Sequence, residues 1–400
     1  MGSEFGHHPE ETKTRDWLWP WWPLVPIYPY SRRRTLRREV VPDQVWTFDQ
    51  VQGIFYVVVP VRMTVVKVTG GLLVYAPVAP TGECVALMRE LEAKYGQVKY
   101  IILPTASGLE HKVFVGPFAR RFPEAQVFVV LNQWSFPVSL PLSWLGMPGK
   151  RTQILPANCQ DAPFYPELEY QLLGPIQFKP GAFAEVAFFH KASQSLLVTD
   201  TLVSVPEFPP DVVELDPYPL LFHAKADPFD LVEDTPDNRC RGWQRICLFA
   251  LYFRPSVLNV IDLKEAFRDS FKAPVRSKET YFGIFPFRWQ DNWQASFEEL
   301  RSGGKMFVAP ILQTLILNRA PGATLEWVNQ VSAWSFSQII PCHFDSPIVA
   351  TGKDLREAFS FLKSESTATD SLKAKDLTVM QEIDEKLRKR GILPPAKQLH

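Results

Sequence analysis

The chain has 400 residues, with 43 basic and 43 acidic side chains, so its formal net charge is zero and exerts no global pull toward nucleic acid or an anionic surface. Its five cysteines are odd in number and form no CxxC pair, which argues against a disulfide framework or a zinc knot and fits a reducing compartment. This length suits two domains or one large α/β domain with insertions, and 36 prolines with 13% aromatics imply rigid loops packed by rings. No apolar run is long enough to cross a membrane and no secretory signal stands at the start. The opening MGSEFGHH, residues 1–8, reads as a cloning scar, which leaves the compartment partly hidden.

Residues 1–44 read as a Trp/Pro-rich arm. Pro20, Pro23, Pro26 and Pro29 recur every third residue, which forbids a regular helix and suits an extended polyproline path. Three roles fit it: an arm laid over the domain, an interfacial anchor with Trp and Tyr beside Arg at a lipid headgroup layer, and a partner-binding arm. The basic run SRRRTLRR reads as a solvated surface segment. From residue 45 to 77, β-branched and aromatic runs broken by TGG predict a meander. TGECVALMRELEAKYG carries Cys84, Leu87, Met88, Leu91 and Tyr95 at helical spacing and stops at Gly96. VKYIILP is a buried strand, VGPFARRFP a short helix and AQVFVVLN another strand, so strands and helices alternate as in an α/β layer.

Residues 137–180 are Pro-rich loop and short strand. Residues 183–203 form a predicted hairpin around HKASQS, its second limb ending near Asp200. The stretch 204–240 reads as loop and 241–330 mainly as helices, LKEAFRDSF among them. RSGGKMF lacks P-loop spacing and reads as a helix C-cap and turn. FSQIIPCHFDSPI is a short strand running into a histidine, a helix follows, and the tail 363–400 is charged with one amphipathic helix.

Of seven histidines, His7, His8 and His400 lie at the termini, His190 falls in a hairpin turn facing solvent, and His223 sits in an apolar context as a packing residue. His111 and His343 each stand just past an apolar strand, as does Asp200, and Glu110 adjoins His111. If the three strands share one sheet, these four groups converge at its C-terminal edge. Two imidazoles and two carboxylates suit zinc, iron or manganese. Arg288 and Arg319 lie in segments expected over the site's mouth; each is either a surface charge or a contact for an anionic substrate.

The order of these features resembles the metallo-β-lactamase fold over roughly residues 45–360. YIILPTASGLEHKVFVGPFARRFPEAQVFVV takes the place of the strand ending in Thr-His-x-His-x-Asp-His, SQSLLVTDTL that of the LLxGD hairpin, and SQIIPCHFDSPI that of the final strand ending in histidine. The nearest resemblance is to a subfamily of unknown function from cyanobacteria and chloroplasts. It implies a four-layer αββα sandwich over 45–362 with a helical insertion at about 205–330 that caps the site. Ala106 and Gly108 stand where the family's first two histidines would be, and KPGAFAEVAFF supplies no third. The first metal site is thus lost, while Glu110, His111, Asp200 and His343 keep the second, with Glu in place of Asp.

Three readings follow: a degenerate protein holding a single zinc, iron or manganese ion, a mononuclear metal-dependent hydrolase, and a non-catalytic scaffold tied to a photosynthetic membrane or complex. Single-iron redox chemistry is a smaller branch. The partner is a small-molecule substrate or a protein, with no nucleic acid expected and with peripheral membrane contact through the arm. The expected location is chloroplast stroma or cyanobacterial cytoplasm.

Overall fold

The computed structural model describes residues 13–24, 26–134, 140–144, 146–179, 181–363 and 372–397; His7, His8 and His400 lie outside them. The first sheet begins earlier than the meander expected from the sequence. Its strands are β1 (Leu36–Val41), β2 (Val45–Ile54), β3 (Val57–Val68) and β4 (Gly71–Tyr75), and α1 (Gly82–Tyr95) follows. Then come β5 (Val98–Leu103), α2 (Lys112–Arg121), β6 (Gln126–Val129) and β7 (Thr152–Ile154). β1 to β4 pair antiparallel, and β4 to β7 run parallel in a seven-stranded sheet. Thr81 caps α1 by accepting from the Cys84 N–H, and Gly96, at φ 98°, ends it.

The chain then builds β8 (Leu168–Gln177), β9 (Ala182–His190), β10 (Ser195–Val198) and the short β11 (Leu202–Val203). The next stretch is mainly helical. It holds α3 (Asp211–Glu214), α4 (Tyr218–Ala224), α5 (Pro236–Tyr252), β12 (Leu258–Val260), α6 (Leu263–Ser270), β13 (Phe287–Trp289), α7 (Trp293–Arg301), β14 (Phe307–Val308), α8 (Pro310–Leu315) and α9 (Pro321–Val331). β15 (Gln338–Pro341) and β16 (Ile348–Val349) complete a five-stranded sheet ordered β16-β15-β10-β9-β8. α10 (Gly352–Ala358), α11 (Leu372–Asp376) and α12 (Thr378–Lys389) follow. No helix among the described residues is long and apolar enough to cross a membrane.

Period-two alternation in the strands sets the layers. In β4, Leu72 and Val74 face α1 and α2, packing with Leu87, Met88, Val115 and Phe118. Leu73 and Tyr75 face the other way, onto Ala184, Val186, Phe188, Leu197 and Ile340 of the second sheet. In β9 and β10 the alternate residues Phe183, Ala187, Phe189, Leu196 and Val198 pack on the far side with Trp243, Ile246, Trp327 and Val328 of the later helices. Helices, sheet, sheet and helices therefore stack as the expected αββα sandwich.

The arm lies along this domain. Trp19 is buried against Phe114 with ring centroids 5.2 Å apart, and Tyr28 pairs through its backbone with Gly53. The basic run is not solvated as its composition suggested. Arg33 is buried and donates to the Val51 carbonyl, Arg34 pairs with Glu83 at 3.1 Å, and Arg37 donates to the Leu87 carbonyl. Each guanidinium meets an acceptor on the first sheet or α1, which offsets the loss of water.

Candidate metal centre

Glu110, Asp200 and His343 come together, but not on one sheet as the sequence reading assumed. β5 belongs to the first sheet, while β10 and β15 are parallel neighbours in the second, with Leu197 opposite Ile340 and Val198 opposite Pro341. Two parallel strands in register bring the segments after them, which carry Asp200 and His343, to one end. The loop after β5 reaches that end by hooking onto β9. The Ala106 N–H donates to the Ala184 carbonyl at 2.9 Å and the Val186 N–H to the Pro104 carbonyl at 2.8 Å.

Three buried charges hold these loops, and the sequence reading had passed over all of them. The Glu185 carboxylate accepts from the backbone N–H groups of Thr199 (2.8 Å), Asp200 (3.1 Å) and Thr201 (3.1 Å), which fixes the turn bearing Asp200. Burial, then the Asp200 charge, pushes Glu185 up to about 7. Arg62 pairs with Asp49 across β2 and β3 at 2.7 Å and donates to the carbonyls of Pro341 (2.7 Å) and Phe344 (3.2 Å), on either side of His343. Their signal in the sequence is a lone charge inside an otherwise apolar strand: Asp49 in VWTFDQV, Arg62 in VVVPVRMTVV, Glu185 in AFAEVAFF.

His343 Nδ1 lies 2.9 Å from the Pro60 carbonyl. A carbonyl only accepts, so Nδ1 carries the proton and donates, and Nε2 faces the carboxylates. Nε2 is 3.0 Å from Asp200 Oδ1 and 3.8 Å from Glu110 Oε1. One donor atom from each of the three residues lies within 4.8 Å of the others. Bond lengths of about 2.0–2.2 Å put tetrahedral zinc ligands roughly 3.3–3.6 Å apart, so the three atoms span the right range. Burial pulls the His343 pKa down, but the hydrogen bonds and charges of Asp200 and Glu110 outweigh it and set the value at about 10. Burial raises the Glu110 pKa and His343 overrides it, holding the carboxyl at about 2. Two carboxylates beside an imidazole lone pair require positive charge at their centre, supplied by a proton on His343 or by a cation.

His111 is buried at the start of α2 and its Nδ1 lies 3.2 Å from the Pro77 carbonyl, the same arrangement as in His343. Its Nε2 is buried with no hydrogen-bond partner among the described residues. The two imidazole centroids are 6.3 Å apart. Burial first, then the proton on His343, lowers the His111 pKa, against the pull of Glu110 and Asp200. His111 lies outside the group of donor atoms that Glu110, Asp200 and His343 form, but a buried neutral ring with an orphaned Nε2 near that group suits a divalent ion of the zinc, iron or manganese class. A ring held through Nδ1 by a main-chain carbonyl is the usual support of a metal-binding histidine.

The loop positions at which the sequence resemblance looks for histidines are built differently. Ala106 is fully buried, and its carbonyl accepts from the Lys112 ammonium at 2.6 Å, which also donates to the Trp134 carbonyl. Burial lowers the Lys112 pKa to about 8. A Cβ at Gly108 would press on Thr105 Oγ1 at 3.1 Å and stand in ordinary contact with Glu110 Oε1 at 3.7 Å.

Other expectations change. His190 is the last residue of β9, not a solvated turn residue; it is buried, pairs through Nδ1 with Ser193 Oγ at 2.6 Å, and burial lowers its pKa to about 4. His223 packs as expected, with Nε2 donating to the Phe55 carbonyl at 3.1 Å. Arg319 is neither a surface charge nor a substrate contact, because it is buried and pairs with Asp384 of α12. Arg288 pairs with Asp269 of α6 at 2.7 Å.

Many solved structures are similar to the chain, three of them as follows. A metal-soaked Flv1 flavodiiron core from Synechocystis sp. PCC6803 shares 10% identity over 92% of this chain and 72% of its own, with a TM-score of 0.43. A diflavin flavoprotein A 5 fragment from Nostoc sp. PCC 7120 shares 8% over 82% of this chain and 96% of its own, with a TM-score of 0.39. A metallo-β-lactamase from Pontibacter korlensis shares 12% over 68% of this chain and 99% of its own, with a TM-score of 0.31. No curated protein matches significantly. Residues 42–361, well over half the chain, match the family model described as Domain of unknown function (DUF4336), and the chain belongs to that family.

Proposed function

We propose that this chain holds one divalent metal ion, zinc, iron or manganese, through Glu110, Asp200, His343 and His111, and that it acts as a mononuclear metal-dependent hydrolase. The observation that carries the reading is the shared fixing of the two imidazoles. Pro60 and Pro77 carbonyls hold both Nδ1–H groups, leaving Nε2 of His111 without a partner among the described residues and Nε2 of His343 against two carboxylates. The carboxylates of Glu110 and Asp200 are partly open to solvent, so water and a substrate can reach this end of the sheets. A bound ion would polarise a substrate oxygen and lower the pKa of a bound water.

The test is elemental analysis of protein purified without chelator or affinity metal. Close to one ion per chain is expected, lost in His111→Ala and in His343→Ala with the fold retained by circular dichroism. Absence of metal, with none taken up on titration, ends this reading.

A second reading has its own support. A protonated His343 pairs with Asp200 at 3.0 Å and offsets part of the charge of Glu110 at 3.8 Å, so the cluster also suits an ion network in a non-catalytic scaffold. Metal-free protein whose stability falls on His343→Gln supports it. Either reading keeps the cyanobacterial or chloroplast setting, in cytoplasm or stroma, that the sequence resemblance implies; localisation of the tagged chain checks it.

A further inference from the structure

Among the described residues a run of exposed apolar side chains lies on α6 and at its C-terminal end. Leu263, Phe267 and Phe271 recur every fourth residue and are 74%, 57% and 57% exposed. That spacing places them in one stripe along the helix. Phe267 and Phe271 touch edge to face, and Val260, Val275 and Phe282 in the flanking segments are exposed as well. The opposite side of this segment is the one that packs, through Ala266, Ser270 and Ala273. Side chains this exposed stand proud of the surface rather than lining a groove.

A second stripe runs beside the first. Lys264, Arg268 and Lys272 each follow an apolar residue by one position, and all are exposed. None of the three has a carboxylate within ion-pair distance among the described residues, while the neighbouring Asp269 is taken up by Arg288. Arg276 lies over the Phe271 ring at 5.1 Å. Residues 260–290 hold six basic and four acidic side chains in a chain that is neutral overall.

We infer that α6 is an interfacial helix that lays the chain on an anionic lipid bilayer, with Leu263, Phe267 and Phe271 entering the headgroup–acyl boundary. Lys264, Arg268 and Lys272 flank the inserted stripe at the level of the lipid phosphates, their aliphatic stems following the apolar residues down. Charge decides between lipid and a second copy of this chain. Two copies meeting along α6 would set basic stripe near basic stripe with Glu265 as the only unpaired acid on the helix, whereas an anionic surface meets every cation with opposite charge. The arm is a poor candidate for the same task, because Trp19 and Tyr28 are buried on the domain.

The experiment is flotation of the full chain with vesicles of phosphatidylcholine alone and with about one-third phosphatidylserine. Association with the anionic vesicles is expected, weakened at least about tenfold in Phe267→Ser/Phe271→Ser, in Lys264→Glu/Arg268→Glu/Lys272→Glu, and with neutral vesicles. Trp21→Ala should bind as the parent does. All substituted positions are exposed, and circular dichroism checks that the fold is kept. The inference is overturned by an absence of binding, by α6 variants that bind like the parent, or by loss confined to Trp21→Ala. It is also overturned if light scattering shows a parent dimer that Phe267→Ser/Phe271→Ser dissociates, since the patch is then a self-interface.

Discussion

Replacing Arg62 by methionine separates two tasks that one side chain performs. The guanidinium neutralises Asp49, whose side chain is only 4% exposed, and it ties down the carbonyls of Pro341 and Phe344 around His343. Removing it leaves a buried carboxylate without its partner, which costs about 3–5 kcal/mol, and takes a donor from two carbonyls at up to about 1–3 kcal/mol each. Because such losses are not additive, the expected destabilisation is about 4–6 kcal/mol. Arg62→Met/Asp49→Leu removes the stranded charge and keeps only the carbonyl loss, so it should cost about 1–3 kcal/mol. The assay is urea unfolding of metal-free protein followed by circular dichroism. The Arg62 backbone N–H still donates to the Cys342 carbonyl at 2.8 Å, so the His343 loop stays docked. Metal affinity in the double variant, measured by calorimetric titration, should therefore fall only about tenfold to a hundredfold. If the double variant is within about 1 kcal/mol of the single one, the stranded charge is not the dominant cost and the reasoning fails.

Three other substitutions probe separate parts. Glu185→Gln exchanges one acceptor oxygen for an amide that faces a backbone N–H; it should lose about 2–4 kcal/mol and weaken metal binding, while Asp200 itself is untouched. His223 titrates at about 4 in the folded chain because it is buried, against about 6.5 unfolded, so between these values the unfolded chain binds the extra proton. Its contribution, about 3 kcal/mol, is complete above pH 6.5 and lost as pH falls toward 4; His223→Gln, which still donates to Phe55, should flatten that part of a stability–pH curve. Arg319→Met leaves Asp384 with only the more exposed Arg388 as its partner, loosens α12 from α8 and should expose α12 to limited proteolysis before the sandwich is cut.

Much of the sandwich was legible because its strands are nearly unbroken apolar runs. The runs around Leu72–Tyr75 and Leu196–Val198 are apolar on both faces, as strands covered on both sides must be. The four candidate ligands were legible as polar residues just past such runs. What the sequence did not display was long-range partnership. Nothing near Arg33 or Arg319 in the chain announces Val51 or Asp384, so both read as surface charges. His190 read as solvated because its neighbours Lys191 and Ser193 are polar, yet β8 and β10 flank it, pairing it with Leu168 and Ser195. The two-sheet origin of the site was hidden for the same reason, since strand order is set by packing between distant segments. Asp49, Arg62 and Glu185 were the readable clue left unread: a charge in an apolar strand must have a partner, and here each partner belongs to a loop of the site or to another of the three.

Lys112 has a consequence for how this loop behaves when metal is scarce. Its ammonium is tethered to the chain and sits on the Ala106 carbonyl, where the sequence resemblance looks for a histidine. A resident ion can be stripped by a chelator, competed off by another metal or left unfilled at synthesis, whereas a lysine arrives with translation. That half of the loop is thus complete as soon as the chain folds, and with the proposed ion only the half around Glu110, Asp200 and His343 would depend on supply. Chelation should change the occupancy of one corner and leave the rest of the architecture standing.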